Sequence, residues 1–228
     1  MRNLLIFCYF LFILVSVSCK DRNNEEVLGN SDNSEISKNT ESTNTKDKTI
    51  LFFGDSLTAG MGVSTEEAYP AVIQEILDSL GLNYKVINAG LSGETTAGGK
   101  NRIDWVLNQE VDVFVLELGG NDGLRGIPLS ETRKNLQTII DVVRKKNSET
   151  KIILAAIQIP PNLGIEYTTE FKNIFPELAA KNNVSLIPFL LKNVGGIEGL
   201  NQNDGIHPTA EGHKILAQNT WDVLKDII

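Results

Sequence analysis

Cysteine is almost missing from this chain. Its two copies, Cys8 and Cys19, both fall within the first nineteen residues. The rest of the chain must hold together without a disulfide, and it has no thiolate metal site. Positive charge is also in short supply. The 21 lysines and arginines are outnumbered by 29 aspartates and glutamates, for a formal charge of −8, which argues against a nucleic-acid-binding surface. Small molecules, lipids and neutral polymers stay open as partners. The apolar run from Leu4 to Val17 is too short and too early for a membrane span. No internal repeat is visible. Against these absences, 41% hydrophobic and 22% charged residues over 228 positions suit one globular domain with an appendage.

The appendage is N-terminal. Arg2 gives a basic start, the apolar run follows, and small residues lead to Cys19, the pattern of an export signal. Ser16-Val17-Ser18-Cys19 resembles the lipobox of bacterial lipoproteins, with Ser16 where that motif usually has leucine. The resemblance implies that Cys19 is lipidated and becomes the first residue after cleavage. It also implies an exported protein, anchored through lipid to a bacterial cell-envelope membrane on its periplasmic or surface side. A plain secretory signal with an incidental cysteine is the alternative. Residues 20–48 are dominated by Asn, Ser, Thr and charged residues, with only Val27, Leu28 and Ile36 strongly apolar. Such a segment cannot bury a core and reads as a disordered tether. The globular domain is then 49–228.

Within that domain, apolar strand-like runs alternate with amphipathic stretches. The expected strands are Thr49–Phe53, Tyr84–Asn88, Val111–Glu117, Lys151–Gln158 and Val184–Pro188. The expected helices are Tyr69–Leu80, Thr95–Leu107, Ser130–Lys146, Thr168–Asn182 and Thr209–Ile227. Leu136, Ile139, Ile140 and Val143 recur at helical spacing, and Pro176 should kink or split the fourth helix. Strict alternation implies right-handed crossovers and a parallel sheet covered on both faces. The expected fold is α/β: a three-layer α/β/α domain with a five-stranded, doubly wound, flavodoxin-like parallel sheet.

The chemistry gathers where these strands end. After the first comes Gly54-Asp55-Ser56-Leu57, and after the second Gly90-Leu91-Ser92-Gly93-Glu94. After the third comes Gly119-Gly120-Asn121-Asp122-Gly123, and beyond the fifth Asp204-Gly205-Ile206-His207-Pro208. A parallel sheet brings all four to one rim, where ligands bind. Together they supply a hydroxyl, a flexible backbone donor, a side-chain amide and an acid–imidazole pair, the inventory of acyl transfer. Taken singly, each has a plainer reading. Ser56, Asn121 and Asp122 are ordinary turn formers, Gly93 can serve the turn before a helix, and His207 can be a buried helix-entry residue.

In that order, the four motifs resemble the blocks of the SGNH (GDSL-type) hydrolases, serine esterases and lipases. Leu118-Gly119-Gly120-Asn121-Asp122-Gly123-Leu124-Arg125-Gly126 and the Asp204–Pro208 phrase are similar to the bacterial thioesterase-I/lysophospholipase/arylesterase subgroup. The likeness covers about Thr49 to Ile228. It implies Ser56 as nucleophile, His207 as general base and then acid, and Asp204 as the carboxylate that orients His207. It implies an oxyanion hole made of the backbone N–H groups of Ser56 and Gly93 and the side-chain amide of Asn121. It calls for no cofactor and no metal.

Other readings carry less. His213 is expected two turns into the last helix, as a surface or packing residue. Asp204, His207 and His213 match no metal-binding spacing, and Gly60-Met61-Gly62 lacks the third glycine of a dinucleotide fingerprint. The rim loops are apolar. Leu124, Ile127 and Pro128 after the third strand, and Ile159, Pro160, Pro161 and Leu163 after the fourth, are candidate walls of an acyl groove, with ordinary loop packing as the alternative. The expected protein is a monomer acting on a small-molecule or lipid ester: a lysophospholipid, fatty-acyl, thioester or aryl ester. A glycan O-deacetylase with the same triad and a non-catalytic surface binding lipoprotein are the alternatives.

Overall fold

The structure, a computed structural model, describes residues 48–228. The expected signal segment, Cys19 and the tether up to residue 47 lie outside the described residues. Five strands form one parallel sheet: β1 (Lys48–Gly54), β2 (Tyr84–Gly90), β3 (Val113–Glu117), β4 (Lys151–Ala155) and β5 (Ser185–Ile187). Their order is β2-β1-β3-β4-β5. The helices are α1 (Ser56–Ala59), α2 (Tyr69–Ser79), α3 (Thr96–Val106), α4 (Gly120–Leu124), α5 (Leu129–Lys146), α6 (Ile165–Asn182) and α7 (Ala210–Leu224).

The sheet is doubly wound because the chain reverses direction after β2. It steps outward from β1 to β2, then returns past β1 to β3 and continues to β5. Right-handed crossovers then put α2 on one face, with α7 packed against it, and α3, α5 and α6 in contact on the other. The inner strands show why. Ile50-Leu51-Phe52-Phe53 and Val113-Phe114-Val115-Leu116 are fully or almost fully buried, as strands covered on both faces must be. The periodic residues Leu136, Ile139, Ile140 and Val143 are likewise buried under α5. The point where winding reverses, between β1 and β3, opens at the carboxyl ends of the strands.

Two expectations need correction. Helix α6 is not split at Pro176, which lies inside a continuous run. Pro176 cannot donate to the Lys172 carbonyl, but both residues are exposed, so water can take that bond. Strand β4 ends at Ala155 and does not reach Gln158. The Ala156 N–H still reaches the Ile187 carbonyl at 2.9 Å, and the Leu190 N–H closes on the Ala156 carbonyl at 3.0 Å. Beyond that the chain leaves the sheet and its side chains turn into a cavity.

Candidate active site

Ser56 opens α1 directly after β1, at the bend expected from the sequence. Asp55 caps this short helix, its Oδ1 accepting from the Leu57 N–H at 3.0 Å. Gly54 permits the sharp turn for a steric reason. A Cβ there would lie 2.1 Å from the Thr58 hydroxyl and 2.5 Å from the Glu117 carboxylate, which passes directly beneath. The N–H of Ser56, at the first helical position, has no intrahelical acceptor. Among the described residues neither it nor the Gly93 N–H donates a hydrogen bond, and both residues line the same cavity. Gly93 adopts φ +79°, a left-handed conformation that glycine takes without strain.

His207 and Asp204 arrive from the far edge of the sheet. The long connection from β5 to α7 crosses the rim and is pinned underneath by the buried Leu190 and Val194. Its last part closes on itself, with Gln202 N–H to the His207 carbonyl at 2.7 Å and Thr209 N–H to the Leu200 carbonyl at 2.9 Å. The Gln202 side chain then ties this loop to the Met61 carbonyl at 2.7 Å, in the segment after α1. His207 Nε2 comes to 2.9 Å from Ser56 Oγ. His207 Nδ1 lies 2.6 Å from Asp204 Oδ2. The backbone N–H of His207, then its side chain and the Ile206 N–H, hold the Asp204 carboxyl down to about 2. An ionised Asp204 can only accept, so Nδ1 carries the proton and the Nε2 lone pair faces the hydroxyl. A hydroxyl, an imidazole and a carboxylate in this sequence can pass a proton away from Ser56 Oγ as it attacks.

Asn121 lies on the short helix after β3, beside Ser56. Its Nδ2 donates to Asp55 Oδ2 at 3.1 Å. Asp55 in turn sits against Glu117, whose Oε2 accepts from the Asp55 N–H at 3.1 Å and from the Thr58 hydroxyl at 2.8 Å. Burial, followed by the neighbouring Asp55, pushes the Glu117 carboxyl well above the usual range. Burial raises Asp55 only to about 6, because the Leu57 N–H and Asn121 amide favour its charged form. Near neutral pH the proton therefore resides on Glu117, and Asp55 stays ionised to hold Asn121. The fully buried Asp122 anchors the same helix. It accepts from the Thr96 N–H at 2.8 Å and the Thr96 hydroxyl at 2.5 Å.

Ser56, Gly93, Asn121 and His207 all face one cavity of about 620 Å3, with Asp204 behind His207. Leu124, Ile159 and Pro160 line it, but Ile127, Pro128, Pro161 and Leu163 do not. The chain turns away at Gly126, the Ile127 carbonyl is taken by the Tyr167 hydroxyl at 2.8 Å, and Leu163 lies exposed on the outside. Ile157, Phe189, Leu191 and Ile206 form walls that sequence reading missed. His213 also departs from expectation. It lies in the first turn of α7, fully buried, its ring stacked on Tyr69 and its Nδ1 accepting from the Tyr69 N–H at 3.3 Å. Packing is its role, and the surface alternative is excluded. Asp55 and Arg125, which support the site, had no sequence signal beyond their place inside the motifs, and Glu117 none beyond closing the third strand.

Residues 52–215 match the GDSL-like lipase/acylhydrolase family. The chain is similar to the esterase TesA of Pseudomonas aeruginosa, 38% identical over 79% of this chain and 90% of that protein. It is 38% identical to the thioesterase 1/protease 1/lysophospholipase L1 of Escherichia coli (strain K12), over 74% of this chain and 79% of that one. The solved structure of the psychrotrophic esterase EstA from Pseudoalteromonas sp., inhibited by monoethylphosphonate, superposes with a TM-score of 0.75 at 33% identity. That match covers 79% of this chain and 98% of EstA. The chain therefore belongs to the GDSL-like lipase/acylhydrolase family and is an ester hydrolase.

Proposed function

We propose that the chain hydrolyses carboxylic esters and thioesters through an acyl-enzyme on Ser56. The observation that carries this reading is the continuous contact from Ser56 Oγ through His207 to Asp204. Ser56 Oγ bonds to the substrate carbonyl carbon as its proton passes to His207 Nε2. The resulting imidazolium is stabilised by Asp204. The oxyanion meets the unspent N–H groups of Ser56 and Gly93 and the second N–H of the Asn121 amide. Collapse breaks the bond to the leaving oxygen or sulfur, which takes the proton from Nε2. Water, deprotonated by His207, then attacks the acyl carbon and releases the acid and Ser56.

The apolar cavity walls favour an acyl chain longer than acetyl: a fatty-acyl ester, a thioester, a lysophospholipid or an aryl ester. A two-carbon acyl group would leave most of about 620 Å3 empty, which weighs against the deacetylase alternative. The names of the esterase and lysophospholipase relatives support the same range. The test is a series of p-nitrophenyl esters of increasing acyl length, with Ser56→Ala as control. Turnover that survives in Ser56→Ala would overturn the nucleophile assignment.

The domain is further proposed to act as an exported monomer, lipid-anchored at Cys19 and held off the membrane by residues 20–48. The lipobox-like Ser16–Cys19 and the polar segment after it support this. Mass spectrometry of the N-terminal peptide from membranes tests it: acyl groups on Cys19 are expected, and an unmodified cysteine in a soluble protein would refute it.

A further inference from the structure

Arg125 follows α4 on the exposed rim, and sequence reading assigned it no role. Its Nη2 donates to the Gly93 carbonyl at 3.1 Å and approaches the Asn121 Oδ1 at 3.4 Å. These two acceptors belong to different loops. Gly93 follows β2 and Asn121 follows β3, and β1 separates those strands in the sheet. One guanidinium therefore bridges the two loops that supply two of the three proposed oxyanion donors.

The hydrogen bonds of Asn121 show what this bridge does. The amide has one oxygen and two N–H groups. Arg125 takes the oxygen and Asp55 takes one N–H. The second N–H is left for the cavity. A cation at the oxygen end and a carboxylate at the nitrogen end both oppose a flip of the amide. The cation also draws density from the oxygen and makes the remaining N–H a stronger donor. Gly93 has the opposite problem. It has no side chain to pack, and an added Cβ would meet only Arg125 within 4 Å, at 3.8 Å. Its loop is held inside by the Arg102–Glu94 pair, with contacts of 2.6 and 2.5 Å. At the rim Arg125 holds the Gly93 carbonyl, across the Gly93 Cα from the N–H that faces the cavity.

We infer that Arg125 is a positioning residue for ester hydrolysis. It fixes the Gly93 carbonyl and the Asn121 amide at one spacing and so restricts the Gly93 backbone, so that the Gly93 and Asn121 N–H groups meet the oxyanion already oriented. The inference rests on the proposed oxyanion role of Gly93 and Asn121. Preorganised donors act on the transition state more than on the ground state. The loss on removing Arg125 therefore falls on kcat.

The test uses the full chain and four variants: Arg125→Met, Arg125→Lys, Asn121→Ala, and Asn121→Ala combined with Arg125→Met. The readouts are kcat and KM on a p-nitrophenyl ester and the Ki of phenylboronic acid, which forms a tetrahedral adduct on a serine. Arg125→Met should lower kcat about tenfold with KM within about twofold, and weaken the boronate by a similar factor. Arg125→Lys keeps the charge but replaces the planar Nη2 that makes both contacts with a shorter-reaching, more strongly hydrated ammonium, and should fall between. In the Asn121→Ala background the Arg125→Met loss should shrink to about threefold, the part exerted through Gly93. An unchanged kcat in Arg125→Met, or an equal loss in both backgrounds, overturns the inference. An unchanged kcat in Asn121→Ala overturns the oxyanion reading on which it rests. Thermal melts separate either result from misfolding.

Discussion

Asn121 gives one amide proton to Asp55 at 3.1 Å, and this contact aims the other at the space beside Ser56. The two residues are 66 positions apart, just beyond the carboxyl ends of the adjacent strands β3 and β1. Asp55 can play this part because burial raises it only to about 6, while the proton of the buried carboxyl pair stays on Glu117.

Asn121→Ala should lower kcat about 10²–10³-fold, or roughly 2.7–4 kcal/mol, with little change in KM. Asn121→Asp should be worse near neutral pH, because a second carboxylate would face both Asp55 and the developing oxyanion. A fluorophosphonate probe should still label both variants, more slowly. Steady-state kinetics with a thermal melt for each variant check the outcome. A destabilised variant whose folded fraction keeps full kcat would make Asn121 a turn former only.

Asp204 differs from a deeply buried triad acid, with its side chain 42% exposed. Water can partly replace it against His207 Nδ1. Asp204→Ala should therefore keep more activity than His207→Ala, by about two orders of magnitude in kcat. Parallel kcat measurements on Ser56→Ala, His207→Ala and Asp204→Ala give the ranking. Equal losses for Asp204→Ala and His207→Ala would show that solvent cannot substitute.

His213 should leave a signature in stability rather than in catalysis. Burial is the largest cause holding this imidazole down to about 4, well below the 6.5 of an exposed histidine. On acidification the unfolded chain takes up the proton first. The contribution of neutral His213 is therefore complete above about pH 6.5 and is lost as pH falls toward 4, up to about 3 kcal/mol. Asp55 works the other way, since its raised value makes folding less favourable as pH rises from 3.8 to about 6. The comparison must therefore be a difference. The stability advantage of the wild type over His213→Gln should shrink by about 2 kcal/mol between pH 6.5 and pH 5 in urea titrations. A constant difference would show that His213 does not titrate in this range.

The cavity walls should set acyl preference. Each methylene buried is worth about 0.8 kcal/mol, so kcat/KM should rise about fourfold per carbon until the cavity is filled. Leu191→Trp and Leu124→Trp narrow the cavity from opposite loops and should move the optimum to shorter chains, with acetate turnover nearly unchanged. A p-nitrophenyl ester series on the three proteins checks this. An unmoved optimum would place the acyl chain elsewhere.

The sequence by itself determined the layout. Apolar runs such as Ile50–Phe53 and Val113–Leu116, rich in β-branched and aromatic residues, read as inner strands, and their alternation with amphipathic stretches pointed to parallel order. A parallel sheet sends every strand's carboxyl end to one rim, so the motifs carrying Ser56, Gly93, Asn121 and His207 pointed to a single site. What only the tertiary structure decided depends on contacts between distant residues. The grip of Arg125 on Gly93 spans 32 positions, and the Glu117 carboxyl under the nucleophile turn reaches Thr58 across 59. Burial of His213 against Tyr69 spans 144 positions. The cavity walls at Ile157, Phe189 and Leu191 are set by where β4 and β5 leave the sheet. Periodicity reports which face of an element is apolar. It does not report which polar atoms meet across two loops, because that depends on the packed distance between backbones, and those contacts together with burial set where a proton rests.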